Sequence, residues 1–148
     1  MRRAAKRRMG ADFAVASAYG MPIADGSVRL VMNVFSPMAI EEVHRVLSHQ
    51  GKFLMVIPAE DHLFDLKALI YDEPYKNAPA DTALSGFRLI HSESLEFAME
   101  FTTGEAIRSL FMMTPYAYRT SKEGRERVLC AEKLKTGAHF LILLYEKI

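Results

Sequence analysis

The residues able to do chemistry are few and unevenly spaced. Glu60, Asp61 and His62 stand together just after an apolar run that closes at Pro58. If that run is a strand, the trio sits at its carboxyl end, where open α/β sheets bind ligands. Asp61 reads equally as a helix cap, and His62 as a helix-start histidine packed on a loop. His44, His49, His91 and His139 have no ligand-like spacing with acids or cysteine, so they read as structural or exposed. Cys130 is the one cysteine. Alone it makes neither an internal disulfide nor a Cys-rich zinc site, and it reads as a small packing residue. No metal site is expected. Arg2, Arg3, Lys6, Arg7 and Arg8 form the one strong basic cluster. A solvated helix face or frayed terminus is the first reading of that cluster, and an RNA contact the alternative.

The rest of the chain must position these groups. Its 148 residues, half of them hydrophobic and a quarter charged, suit one globular domain, 1–148. A net charge of +1 gives little long-range attraction to nucleic acid, so RNA binding would need a local patch or another domain. No stretch approaches the roughly 20 apolar residues that span a bilayer, and no membrane partner is expected. The start resembles a leader with a twin-arginine pair, but Asp12 interrupts its short apolar core. The expected location is the cytoplasm.

Strands and helices alternate. Phe13–Ala16 is a short apolar run, Pro22, Asp25 and Gly26 mark a loop, and Val28–Val34 is the next run. Met38–Leu47 has apolar residues at helical spacing, and Gln50-Gly51 ends it. Phe53–Ile57 is continuously apolar, as in a strand buried on both faces. Asp61 could cap a helix running to about Tyr71, and a polar loop follows over 72–85. Phe87–Ser92 reads as a strand. Leu95, Phe97, Met99 and Phe101 alternate with Glu96, Ala98 and Glu100, giving a strand with one wet face. Helices over 103–112 and 122–134 and a last strand over 139–145 complete the chain. Crossovers first and alternation later imply an open α/β sheet with an antiparallel edge.

Several segments go further. Ala16 to Ser27, reading ASAYGMPIADGS, resembles the stretch after the third strand of class I S-adenosylmethionine-dependent methyltransferases. Glu42-x-x-Arg45-Val46-Leu47-x-x-x-Gly51 resembles their turn before the fifth strand, with Gln50 where a glycine is usual. Pro58–Leu63, Leu66–Tyr71, Asn33–Pro37 and Met113–Arg119 narrow the likeness to the 23S ribosomal RNA guanine-N1 methyltransferases.

The resemblance implies a partial Rossmann-like fold, strands three to seven, in a sheet of family order three, two, one, four, five, seven, six. The family's zinc module, first two strands and glycine-rich turn have no counterpart here, so the expectation is a single N-terminally truncated domain. The implied cofactor is S-adenosylmethionine, contacted by His62, with Ala16, Ser17 and Asn33 beside it. The target base would meet Phe35, Pro37, Thr114, Pro115 and Tyr116. The catalytic residues stay unassigned. Plainer readings stand beside these. Ala16 and Ser17 are also tight packing, Phe35 a core aromatic, and Thr114–Tyr116 a turn. Ribosomal RNA is the implied partner, and the chain is expected to be inactive alone. A non-catalytic remnant or interaction module, or a small-molecule methyltransferase, are the alternatives. Without strands one and two, strand four has an open apolar edge. Strand three pairs with it, another chain covers it in a homo-oligomer, or the segment before Val28 docks irregularly.

Overall fold

The computed structural model describes residues 11–148; the basic cluster of the first eight residues lies outside them. Four strands, β1 (Val28–Val34), β2 (Leu47–Pro58), β3 (Phe87–Phe101) and β4 (Leu134–Lys147), form one sheet in the order β1-β2-β4-β3. β1 and β2 are parallel, and β4 runs antiparallel to both its neighbours. This is the four, five, seven, six half of the expected sheet. The helices are α1 (Ile40–Val46), α2 (Phe64–Ile70), α3 (Gly104–Met112) and α4 (Lys122–Cys130), with a 3-10 turn at Pro115–Tyr118.

Strand three is absent from the described residues. Phe13–Ala16 has no partner strand; Phe13 and Val15 are exposed, and a single bridge joins Ser17 to Gly20. A short apolar run without a neighbouring strand cannot satisfy its own backbone. Strand three therefore does not pair with β1 among the described residues, and the segment before Val28 docks irregularly, the Met21 amide donating to Glu42.

Two local expectations also change. Gly51 does not supply the left-handed turn after α1; Gln50 does, at φ 58°. Gly51 is needed for space, since a Cβ there would lie 2.8 Å from the Ser48 carbonyl oxygen. Asp61 does not cap α2. Leu63 occupies that position with φ 54°, and Asp61 pairs with Lys76 at 2.7 Å.

The core sits on one face of the sheet. Phe53, Met55, Leu143 and Tyr145 point to it and pack with Val43 and Leu47 of the α1 region and with Phe87. The Phe53–Ile57 run is therefore buried on one side only. Leu54, Val56, Ile142 and Leu144, pointing the other way, stay half-buried, and Met32 and Val34 are exposed. β3 has no dry face along most of its length: Leu95 and Phe97 are exposed with the glutamates. Beyond Pro58, β3 and β4 continue as a ribbon, where a second cluster forms. Ile107, Phe111, Val128 and Ile70 pack α2, α3 and α4 together there, with Phe101 and Leu134 against them. Among the described residues no helix is long and apolar enough to cross a membrane.

Candidate functional site at the carboxyl edge

The parallel pair β1–β2 directs its carboxyl ends to one edge, and the loops that leave it carry the candidate groups. The loop after β1 is pinned by its own sequence. Asn33 Oδ1 accepts from the Ser36 amide at 3.1 Å, and Asn33 Nδ2 donates to the Pro37 carbonyl at 3.2 Å. That turn forces Phe35 into the left-handed region at φ 53°, rare for an aromatic residue. The ring is thrown outward, 57% exposed, so Phe35 is not a core aromatic. It lies 5.2 Å from Phe140 and 6.5 Å from His62 between centroids, the latter pair stacked.

His62 enters from the loop after β2. Its Nδ1 accepts from the His139 amide at 3.2 Å, which leaves Nε2 to carry the proton of the neutral ring. Burial, and then the nearby Lys67 cation, hold its pKa below the ordinary histidine range. At neutral pH the ring is an uncharged donor through Nε2. The Phe140 ring lies 4.6 Å away, and Phe97 extends the series at 6.2 Å from Phe140. Phe140 is the residue that sequence reasoning missed here. In an apolar strand run nothing distinguishes the one ring at the end of the core.

The loop before β1 forms the other wall. Ser17 closes a tight turn by accepting from the Tyr19 and Gly20 amides; Ala16 and Ser17 are exposed. Next, the Glu42-x-x-Arg45 spacing of α1 acts as a clamp. Glu42 accepts from the Met21 amide at 2.6 Å. Arg45 pairs with Glu42 at 2.7 Å, donates to the carbonyls of Met21 and Ile23, and pairs with Asp25. The Arg45 guanidinium, then the Met21 amide, lower the Glu42 carboxyl to about 2. A cleft of about 290 Å³ lies between Ala18 and Met21 on one side and Asn33, Val34 and Pro37 on the other. Small residues, Ala18, Ser36 and Ala39, alternate in its wall with Met21, Met32 and Val43. Among the described residues no glycine-rich strand-to-helix turn borders it.

Thr114, Pro115 and Tyr116 stand elsewhere, on the 3-10 turn over α2. Thr114 is buried and donates its hydroxyl to the Phe111 carbonyl at 2.8 Å. Tyr116 meets Tyr71 edge-on at 6.3 Å, and burial pushes its hydroxyl up to about 12. The structure thus brings Phe35 and His62 together and sets Asn33 and Pro37 in the cleft wall. Thr114–Tyr116 belong to the helical cluster instead.

No family model matches the chain. Solved structures do: a Bacillus halodurans protein assigned as a methyltransferase superposes with a TM-score of 0.59 at 14% identity, over 94% of this chain and 78% of that one. The fold is that of the Rossmann-like methyltransferases. A [4+2]-cyclase has the same fold, at a TM-score of 0.53 and 15% identity over 98% of this chain and 58% of its own. The methyltransferase fold therefore does not fix the reaction. Sequence relatives are more specific. A Bacillus subtilis protein assigned as a 23S rRNA (guanine-N1)-methyltransferase is 30% identical over 84% of this chain and 45% of its own length. A Micromonospora griseorubida protein assigned the same activity is 33% identical over 81% of this chain and 42% of its own. The methyltransferase-fold chain thus spans less than half the length of these relatives.

Proposed function

We propose that the chain supplies the carboxyl-edge wall of an S-adenosylmethionine-dependent methyltransferase acting on guanine N1 of 23S ribosomal RNA. The observation that carries this is the meeting of Phe35 and His62 beside the Asn33–Pro37 cleft wall. S-adenosylmethionine, when bound, supplies an electrophilic methyl group on a sulfonium. Ala16, Ser17 and Asn33 would border its adenosine end, with the Glu42–Arg45 clamp fixing the loop. His62 would donate to it through Nε2. Phe35 offers a ring face to a guanine drawn out of its stack, and Pro37 would border the same base. Guanine N1 carries a proton at neutral pH, and an acceptor must take it as the N–CH3 bond forms. Glu60 is the exposed carboxylate of this edge, since Asp61 is paired with Lys76. Thr114, Pro115 and Tyr116 would act on the target-base side only indirectly, through the α2 region they pack on.

The site described is one wall, so the chain is expected to be inactive alone and to act in the cytoplasm on its RNA with the rest of the fold present. Calorimetric titration of the isolated chain with S-adenosylmethionine tests this. The expected result is no binding in the micromolar range; micromolar binding by a monomer contradicts it.

A second reading, a non-catalytic interaction module, is favoured by one observation. Leu30, Met32 and Val34 of β1 are all at least half exposed, next to a strand edge that has no partner among the described residues. An edge presents the same row of amides and carbonyls to its own copy, so antiparallel pairing of two β1 strands about a two-fold axis is self-complementary. Sedimentation velocity should show a dimer; a concentration-independent monomer removes this reading.

A further inference from the structure

One fully buried cation has a role that neither wall explains. Lys67 of α2 has no accessible surface. Among the described residues its partners are all neutral. Nζ donates to the Tyr75 carbonyl at 3.1 Å and to Asn77 Oδ1 at 2.6 Å, and it lies 4.7 Å from the Tyr75 ring centroid and 5.6 Å from that of Tyr116. A buried ammonium is costly unless every proton finds a ligand. Two carbonyl-type oxygens and two aromatic faces provide that here.

What the cage holds is more informative than the cage. Asn77 points its other end away from Lys67: Nδ2 donates to the Ala59 carbonyl at 2.7 Å, and the Asn77 amide donates to the Glu60 carbonyl at 2.9 Å. The same Ala59 carbonyl accepts from the His62 amide at 3.2 Å. The His62 ring then accepts from the His139 amide. A continuous series of bonds runs from Lys67 through Asn77 and Ala59 to the His62 ring. On its far side Lys67 touches Tyr116, the residue sequence reasoning placed on the substrate side. Lys67 is therefore the joint between the His62 loop and the 3-10 turn.

We propose that Lys67 is a positioning residue for His62, fixing the loop after β2 through Asn77 and tying it to the Tyr116 turn. This rests on the reading of His62 as a cofactor contact only for its importance to methyl transfer; the bonding claim is tested without any cofactor. Burial also holds the Lys67 ammonium below its ordinary range.

The test is residue-resolved amide hydrogen exchange on the full chain. The His139 amide is the reporter, because its acceptor is the His62 ring. In Lys67→Met the expected result is exchange faster by about tenfold at His139, the loss of one ordinary hydrogen bond. Leu143 and Tyr145, further along β4, should keep their rates. Asn77→Ala, which leaves the cation and both rings in place, should give the same local signature. Should Lys67→Met unfold the chain, Asn77→Ala alone decides. An unchanged His139 amide in either folded variant overturns the proposal, and so does a uniform acceleration along β4 in the variants that fold. A purely stabilising lysine would produce the uniform change, and a failed cofactor assignment would leave the His139 result untouched.

Discussion

The two faces of the sheet are built from the same strands and the same apolar residue types, yet the described residues cover only one. Phe53 and Leu54 are neighbours in β2; Phe53 is fully buried and Leu54 half-exposed. Tyr145 and Leu144 of β4 repeat the contrast. Register carries it across the sheet: Met32, Leu54 and Leu144 lie side by side on the open face, and Val34, Val56 and Ile142 form the next row. Apolar side chains alternating with apolar side chains suit a sheet meant to be covered on both sides. The covered face is where the stability of this chain resides, and the open face is the one that the proposed dimer would use.

The largest expected effect comes from the covered face. Phe53→Ala removes a fully buried ring that meets Phe87 and Tyr145, and should cost about 3–5 kcal/mol in denaturant unfolding. Leu95→Ser on the open side should cost within about 0.5 kcal/mol. Equal losses at the two positions would mean that the open face is covered in solution. Next, Met32→Lys places a charge beside the β1 edge and should shift a dimer towards monomer in sedimentation without lowering the unfolding midpoint. A dimer that survives it does not use this edge.

A smaller effect concerns the loop before β1. Arg45→Ala removes its bonds to Met21 and Ile23, and should open residues 17–26 to limited proteolysis while β2 and β4 stay protected. The smallest is a pH effect on the same clamp. Glu42 is held down to about 2 in the folded chain, against 4.5 ordinarily. A depressed carboxyl stabilises the fold above its unfolded range. That contribution should be intact at neutral pH, begin to fall near 4.5 and be lost as the pH approaches 2. In Glu42→Gln the loop's protease sensitivity should no longer change over that window.

Much of this was legible in the residues. Strand β1, the α1 periodicity and the parallel-then-antiparallel order follow from apolar spacing alone. The Glu42-x-x-Arg45 pattern was visible as a motif, but its use was not, because its partners, the Met21 and Ile23 backbone and the Asp25 carboxylate, lie some twenty residues away. Phe35 was ambiguous until the Asn33 turn showed why the ring faces outward. Lys67 gave no signal, since a lysine in an amphipathic helix ordinarily reaches solvent. The separation of Thr114–Tyr116 from Phe35 was equally hidden. It depends on β3 and β4 running past the end of β2, a length difference that the turn residues did not announce.

The edge formed by the β1 and β2 loops is the proposed cofactor wall. Amide chemical-shift mapping of the chain with S-adenosylmethionine at millimolar concentration tests it most directly. Weak, saturable shifts confined to Ala18, Met21, Asn33 and His62 are expected, with none along α3 and α4. Shifts that avoid this edge, or that centre on the α2–α4 cluster, would contradict it.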